Sequence, residues 1–380
     1  TMNISRFALC ETPFYYYNLT LLQQTLDSIT AATADSPNFH VHYALKACVA
    51  HEVLQIIAQH GFGADCVSGG EIEMAHQHGF AANDIVFAGV GKADWEILRA
   101  LDLGIQCFNV ESLPELEIIN ELAARKNLVA RVAFRINPNV DAHTHAKITT
   151  GLNENKFGLA LEDTLPAIRR AASLTNIQFI GLHFHIGSQI TKLDSYRELC
   201  IRINELQSSL EEEGIFVPTL NVGGGLGVNY TAPDTEAIPD FASYFTIFKQ
   251  ELQLREGQSV HFELGRSIVA QCGSLISRVL YVKEGHSKRF VIVDAGMTDL
   301  IRPAMYGSTH QIDNLSHPEA PKASFDVVGP ICESSDVFAT DYVMPTPQRG
   351  DLLAFRSAGA YGEIMASQYN CRRLPGHIAE

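Results

Sequence analysis

Eight short apolar, β-branched runs alternate with amphipathic helical patterns between residues 40 and 263, and this alternation limits the chain to very few architectures. The runs fall near 40–46, 62–66, 85–88, 105–110, 129–136, 178–184, 219–222 and 260–263. Between them, apolar residues recur at helical spacing near 50–60, 70–79, 93–102, 112–126, 162–174, 193–213 and 239–254. A β/α repeat builds a parallel sheet, and a count of eight predicts closure into a TIM-type (β/α)8 barrel. A doubly wound open sheet is the competing arrangement, but no G-x-G-x-x-G follows the first run.

The pattern changes after Ser267. Short strand runs at 274–283, 289–294, 324–328 and 351–356 are separated by turn residues such as Glu284-Gly285 and Arg349-Gly350-Asp351. They predict a smaller all-β domain of the barrel or sandwich kind. Upstream, Phe7-Ala8-Leu9 and Thr12–Tyr17 read as strand-like, followed by a helix over roughly 19–33 with Leu21, Leu22, Leu26 and Ile29 on one face. The N-terminal strand is expected to join the all-β domain. The expected division is therefore 30–267 for the barrel, and 1–29 plus 268–380 for a discontinuous all-β domain.

Composition matters here for what it disfavours. A net charge of −15 argues against nucleic acid and anionic membranes as partners, although a single site can still be locally basic. Eight scattered cysteines without a CxxC read as free thiols in a reducing, cytoplasmic compartment. The first residues carry no apolar core of signal-peptide length, and no window of about 18 uncharged apolar residues predicts a membrane span.

In a (β/α)8 barrel, reactive groups sit at the C-terminal strand ends. Those ends carry Lys46; Asp65 with Ser68-Gly69-Gly70-Glu71; Asn109 and Glu111; Arg135 and Asn137; His183, His185, Gly187 and Ser188; Gly223-Gly224-Gly225 with Gly227; and Glu263, Gly265 and Arg266. A lysine at a buried strand end either snorkels to solvent or serves as a Schiff-base nucleophile, because desolvation lowers an amine's pKa. A glycine run after a strand is either a tight turn or a loop whose backbone N–H groups can approach a phosphate. His183 and His185 share one strand face. No third ligand has metal spacing, so the expectation is no metal and one flat imidazole wall against a planar cofactor. Glu263, ending an apolar run, either pairs with Arg266 or Arg135 or meets a cationic ring nitrogen. His143 and His145 read as solvated loop residues. Together, an imine-forming lysine, a phosphate cradle, an imidazole wall and a carboxylate for a ring nitrogen describe pyridoxal 5′-phosphate.

Longer stretches then carry a resemblance. Tyr43–Ala47, Val67–Glu71, Gly151-Leu152 with Asn155–Gly158, Gly181–Gln189, Glu263–Ser267, Asp294–Met297, Arg302–Gly307, Gly329–Ser334 and Gly359–Gly362 resemble the fold-type III pyridoxal-phosphate-dependent decarboxylases over nearly the whole chain. The departure is Leu264, where the family usually has proline.

The resemblance implies that Lys46 carries the cofactor and that His185 stacks on its ring. Ser188, Gly223, Gly224 and Gly225 would hold the phosphate with the Gly265–Arg266 backbone, and Glu263 would pair with the pyridine nitrogen. It further implies that Arg266, Arg302 and Tyr306 bind substrate carboxylate, that Glu333 binds an ammonium group, and that Tyr361 touches cofactor and substrate. Cys332 would be the proton donor, and Cys332 and Glu333 would be offered by the second subunit of a homodimer. The implied reaction is decarboxylation of meso-2,6-diaminopimelate to L-lysine. The alternatives are a carboxynorspermidine decarboxylase or an amino-acid racemase of the same fold type. A racemase is expected to place arginine at the ring nitrogen. A non-catalytic homologue is expected to lack Lys46, Cys332 or the arginines.

Overall fold

The computed structural model describes residue 2 and residues 4–143 and 156–380. Gly151, Leu152 and Asn155 of the matching stretches, and His145, lie outside the described residues. The chain divides into two compact units, one of residues 26–227 and 240–265, the other of residues 1–25, 228–239 and 266–380.

The first unit is a closed barrel of eight parallel strands: Phe39–Ala44, Gly63–Cys66, Ile85–Phe87, Cys107–Val110, Ala130–Arg135, Ile177–His183, Thr219–Gly224 and Ser259–Leu264. The expected runs and observed strands coincide within a few residues. These strands are buried along almost their whole length, which is why they read as continuous apolar runs rather than alternating ones. The first strand pairs with the second (Tyr43↔Ala64) and with the eighth (His42↔Glu263), which closes the ring. Leu264 pairs with Tyr43 at the end of the eighth strand, a position where proline would lack the N–H.

Seven helices of 9 to 19 residues lie between the strands, from His51–His60 to Phe241–Glu251. Two start at Ser-x-x-Glu caps. Ser68 Oγ accepts from the Glu71 N–H at 3.1 Å and Ser112 Oγ from the Glu115 N–H at 3.3 Å. The glutamates reach back to Val67 N (2.7 Å) and Glu111 N (2.9 Å). The Ser68–Glu71 turn is thus a helix cap that fixes the loop after the second strand.

The second unit is mostly sheet. Its strand path runs Ile312–Asn314, Leu352–Phe355, Gly273–Glu284, Arg289–Val293, Lys322–Val328 and Val337–Pro345. Phe14–Tyr17 pairs antiparallel with Gly273–Ile276 and parallel with Gly376–Ala379. The segment expected as a strand at Phe7–Leu9 is instead the end of a short helix, Ile4–Phe7, followed by Leu9 at 90% exposure. Phe7 still packs inward, its ring 5.4 Å from Phe14 and 5.0 Å from Tyr16. Among the described residues, no helix is long and apolar enough to cross a membrane.

Candidate active site

Lys46 does not lie in the strand proper. It sits half-buried in a single 3-10 turn, Leu45–Ala47, directly after the first barrel strand. The turn is pinned by the Cys48 N–H on Leu45 O (3.1 Å) and by the Tyr43 hydroxyl, which donates to Cys48 O at 2.7 Å.

Glu263 is anchored at both carboxylate oxygens. Its Oε1 accepts from Asn221 Nδ2 at 2.7 Å and Asn109 Nδ2 at 3.4 Å, and its Oε2 from His183 Nε2 at 3.1 Å. Neither arginine alternative is needed, and Arg135 pairs with Glu111 at 3.2 Å instead. Burial alone would push the Glu263 carboxyl up; His183, by charge and hydrogen bond, and the charge of Lys46 outweigh it and hold the group below the usual carboxylate range. The neighbouring Asp65 goes the other way. Burial and repulsion from Glu263 push it well above the carboxylate range, against the pull of Lys46, and its Oδ1 has no hydrogen-bond partner.

The two histidines of the sixth strand end separate in role. His183 binds Glu263. His185 accepts from the Gly224 N–H at 3.4 Å, and burial, then the charges of Lys46 and Arg135, drive its pKa well down, so the imidazole is neutral. Among the described residues, no group of three or more His, Cys, Asp or Glu could hold a metal ion.

The loops after the sixth and seventh strands are knitted together. Ile190 N donates to Gly225 O at 2.8 Å and Gly227 N to Ile190 O at 3.0 Å, which sets Ser188 beside the glycine run. A Cβ on Gly224 would lie 1.6 Å from Glu263 O, and one on Gly225 2.2 Å from Gly187 O; Gly225 also has φ +93°. No other residue fits this loop. The Gly223 N–H is committed to Asn221 Oδ1 at 2.9 Å, so this glycine also orients the asparagine that holds Glu263. Gly265 closes the eighth strand end, its Cβ position 3.1 Å from Ala44.

This set fits the expected cofactor. A carboxylate held ionised suits a protonated pyridine nitrogen, a neutral imidazole suits stacking on a cationic ring, and a loop of bare backbone suits a phosphate.

The second unit gathers a different chemistry. Arg266 and Arg302 are buried, at 7% and 4% exposure. Arg266 Nη1 donates to the Tyr230 hydroxyl at 2.6 Å, and its guanidinium lies 4.8 Å from the Tyr361 ring centre. Arg302 stacks 4.5 Å from the centre of the Tyr230 ring and donates from Nη1 to His310 Nε2 at 2.9 Å. Its Nε has no partner, and among the described residues no carboxylate pairs with it. Burial and the neighbouring Arg266 charge lower the Arg302 pKa, against the tyrosines Tyr230, Tyr361 and Tyr306. Tyr361 itself has φ +56°, a left-handed backbone that a non-glycine residue holds only at some cost. Two cations side by side with one uncompensated are built for an anion.

Cys332 and Glu333 are exposed and make no hydrogen bond or ion pair with Arg302. Their loop is set by Asp336, whose Oδ1 accepts from Met297 N (2.6 Å) and Oδ2 from Ile331 N (2.7 Å). Glu333 Oε1 accepts from the Tyr369 hydroxyl at 2.6 Å. Sequence reading missed Tyr230, His310 and Asp336. Tyr230 and His310 have no local signature, whereas Asp336 follows the Gly329–Ser334 stretch closely enough to have been flagged.

The family model for the pyridoxal-binding domain of pyridoxal-dependent decarboxylases matches residues 22–270. The diaminopimelate decarboxylase of Bacteroides thetaiotaomicron is 59% identical over 372 residues, covering 98% of this chain and 96% of that protein. The crystal structure of diaminopimelate decarboxylase from Helicobacter pylori complexed with L-lysine superimposes with a TM-score of 0.93 at 40% identity, covering 100% of this chain and 94% of that one. The lysine/ornithine decarboxylase of Vibrio vulnificus, complexed with cadaverine, gives 0.86 at 25% identity, covering 99% and 97%.

Proposed function

The chain belongs to the pyridoxal-dependent decarboxylase family, and from that premise we propose that it converts meso-2,6-diaminopimelate to L-lysine and CO2. The observation that carries the substrate choice is the uncompensated Arg302 beside Arg266. A distal carboxylate answers it, whereas lysine, ornithine and arginine would leave a buried cation unpaired.

Bound pyridoxal 5′-phosphate supplies the electron sink for the pair freed when CO2 leaves. Lys46 would anchor it through Nζ, with His185 against the ring face and Ser188, Gly224, Gly225 and the Gly265–Arg266 backbone at the phosphate. Gly223 would contribute by orienting Asn221. Glu263 would keep the pyridine nitrogen protonated, which favours decarboxylation over racemisation. Tyr361 would touch cofactor and substrate. Arg266, Arg302 and Tyr306 would bind substrate carboxylate and Glu333 its ammonium group. Cys332 would deliver a proton from Sγ to the carbon that lost CO2.

The direct test is CO2 release by purified protein with pyridoxal phosphate. Turnover of meso-diaminopimelate should far exceed that of L-lysine, L-ornithine, L-arginine or carboxynorspermidine. Faster turnover of any of the four would sink the substrate assignment.

The exposure of Cys332 and Glu333, on a loop so firmly fixed by Asp336, supports their being offered to a second subunit. Mixing inactive Lys46→Ala chains with inactive Cys332→Ala chains should then restore up to about a quarter of wild-type activity, the share of randomly mixed sites with both residues intact. No recovery in the mixed dimer would count against shared sites. Eight free cysteines favour a reducing, cytoplasmic setting, and the charge of −15 favours small-molecule over nucleic-acid partners.

A further inference from the structure

Arg302 is positioned by groups that leave its charge unspent. His310 is buried, and its Nδ1 donates to the backbone oxygen of Arg356 at 2.8 Å. That bond fixes the tautomer, because a carbonyl can only accept, and so Nε2 presents a lone pair to Arg302 Nη1 at 2.9 Å. Burial and the Arg302 charge push the His310 pKa down to about 3, which keeps the ring neutral. On the guanidinium's flat side, the Tyr230 ring lies 4.5 Å away, and it meets His310 edge-on at 5.3 Å. Asp234 and Asp313 are both taken by Arg356, each at 2.7 Å.

We infer that His310 and Tyr230 are specificity-determining positioning residues: they orient Arg302 without neutralising it, so that its charge is available only to a substrate carrying a distal carboxylate. A carboxylate in place of His310 would hold the guanidinium equally well but would occupy the charge the substrate needs. An apolar residue there would leave the charge available but the fork unaligned. A neutral, tautomer-locked acceptor does neither. This inference rests on the proposed role of Arg302 as a receptor for substrate carboxylate.

The test compares His310→Gln, His310→Leu and His310→Glu in the pyridoxal-phosphate-loaded enzyme, with KM and kcat for meso-diaminopimelate and the thermal midpoint measured for each. His310→Gln keeps a neutral acceptor and should stay within about threefold of the wild-type KM. His310→Leu should raise KM about 10-fold, and His310→Glu about 100-fold, the range of one to two charge-assisted hydrogen bonds, with kcat changed far less. Tyr230→Leu, which removes the stacking face, should also raise KM by about 10-fold and stands in if a His310 variant fails to fold. Equal KM values for the folded Gln, Leu and Glu variants, or an unchanged KM in Tyr230→Leu, would overturn the inference while leaving the decarboxylase reading intact. A wild-type protein that releases no CO2 from diaminopimelate overturns that reading and the inference with it.

Discussion

Replacing Lys46 by alanine is expected to lower CO2 release from diaminopimelate by at least about 10³-fold, within the span ascribed to one positioned acid–base group and before any loss of cofactor anchorage is added. The barrel should stay folded. Lys46 is half-buried in a turn that the Tyr43 hydroxyl and the Cys48 N–H hold through the backbone. What the substitution removes is a positive charge that opposes the raised pKa of Asp65 and Glu71 and helps lower that of Glu263. The measurements are single-turnover CO2 release and circular dichroism on the same preparation. Full turnover by a folded Lys46→Ala protein would falsify the assignment of the barrel rim as the reaction site. A protein that unfolds would show that the backbone bonds of Tyr43 and Cys48 do not hold the turn without the lysine.

Arg302→Met is expected to raise the KM for diaminopimelate about 100-fold or more, since truncating one partner of a buried charge pair costs roughly 2–5 kcal/mol. Its effect on folding should carry the opposite sign from most core substitutions. In the free protein Arg302 is buried, lacks a counter-ion among the described residues and sits beside Arg266, so its charge is a cost to the folded state. Methionine keeps most of the volume against Tyr230 and removes that cost. The thermal midpoint without substrate should therefore hold or rise. A midpoint that falls together with an unchanged KM would mean that Arg302 is a structural residue.

Much of the barrel was legible because most strand positions are buried and the helices between are amphipathic, so the two periods alternate cleanly along the chain. The second unit was harder. Val337–Pro345 buries only Phe338 and Met344, with no strict alternation, and Gly376–Ala379 is a four-residue edge strand without a wholly buried position. Phe7 misled because a buried aromatic beside Ala8 and Leu9 looks like a strand, while its anchor is a tertiary ring cluster.

At the site, Lys46, Glu263 and the glycine run were readable from position at strand ends. The partners of Glu263 were not, because Asn109, His183 and Asn221 come from three other strands and only closure of the ring brings them together. Tyr230 and His310 could not be found from sequence for a related reason. They matter through Arg302, and Tyr230 lies far from it along the chain.

The pairing of Phe14–Tyr17 with Gly376–Ala379 bears on synthesis. The partners are separated by about 360 residues, so a ribosome adding about 5–20 residues per second needs some 20–70 s between making the first strand and making the one beside it. For about the first 260 of those residues Tyr15 and Tyr17, fully buried at the end, have neither neighbouring strand, and after that only Gly273–Ile276. An aromatic, uncharged strand waiting that long on a nascent chain is a natural ligand for a holdase chaperone.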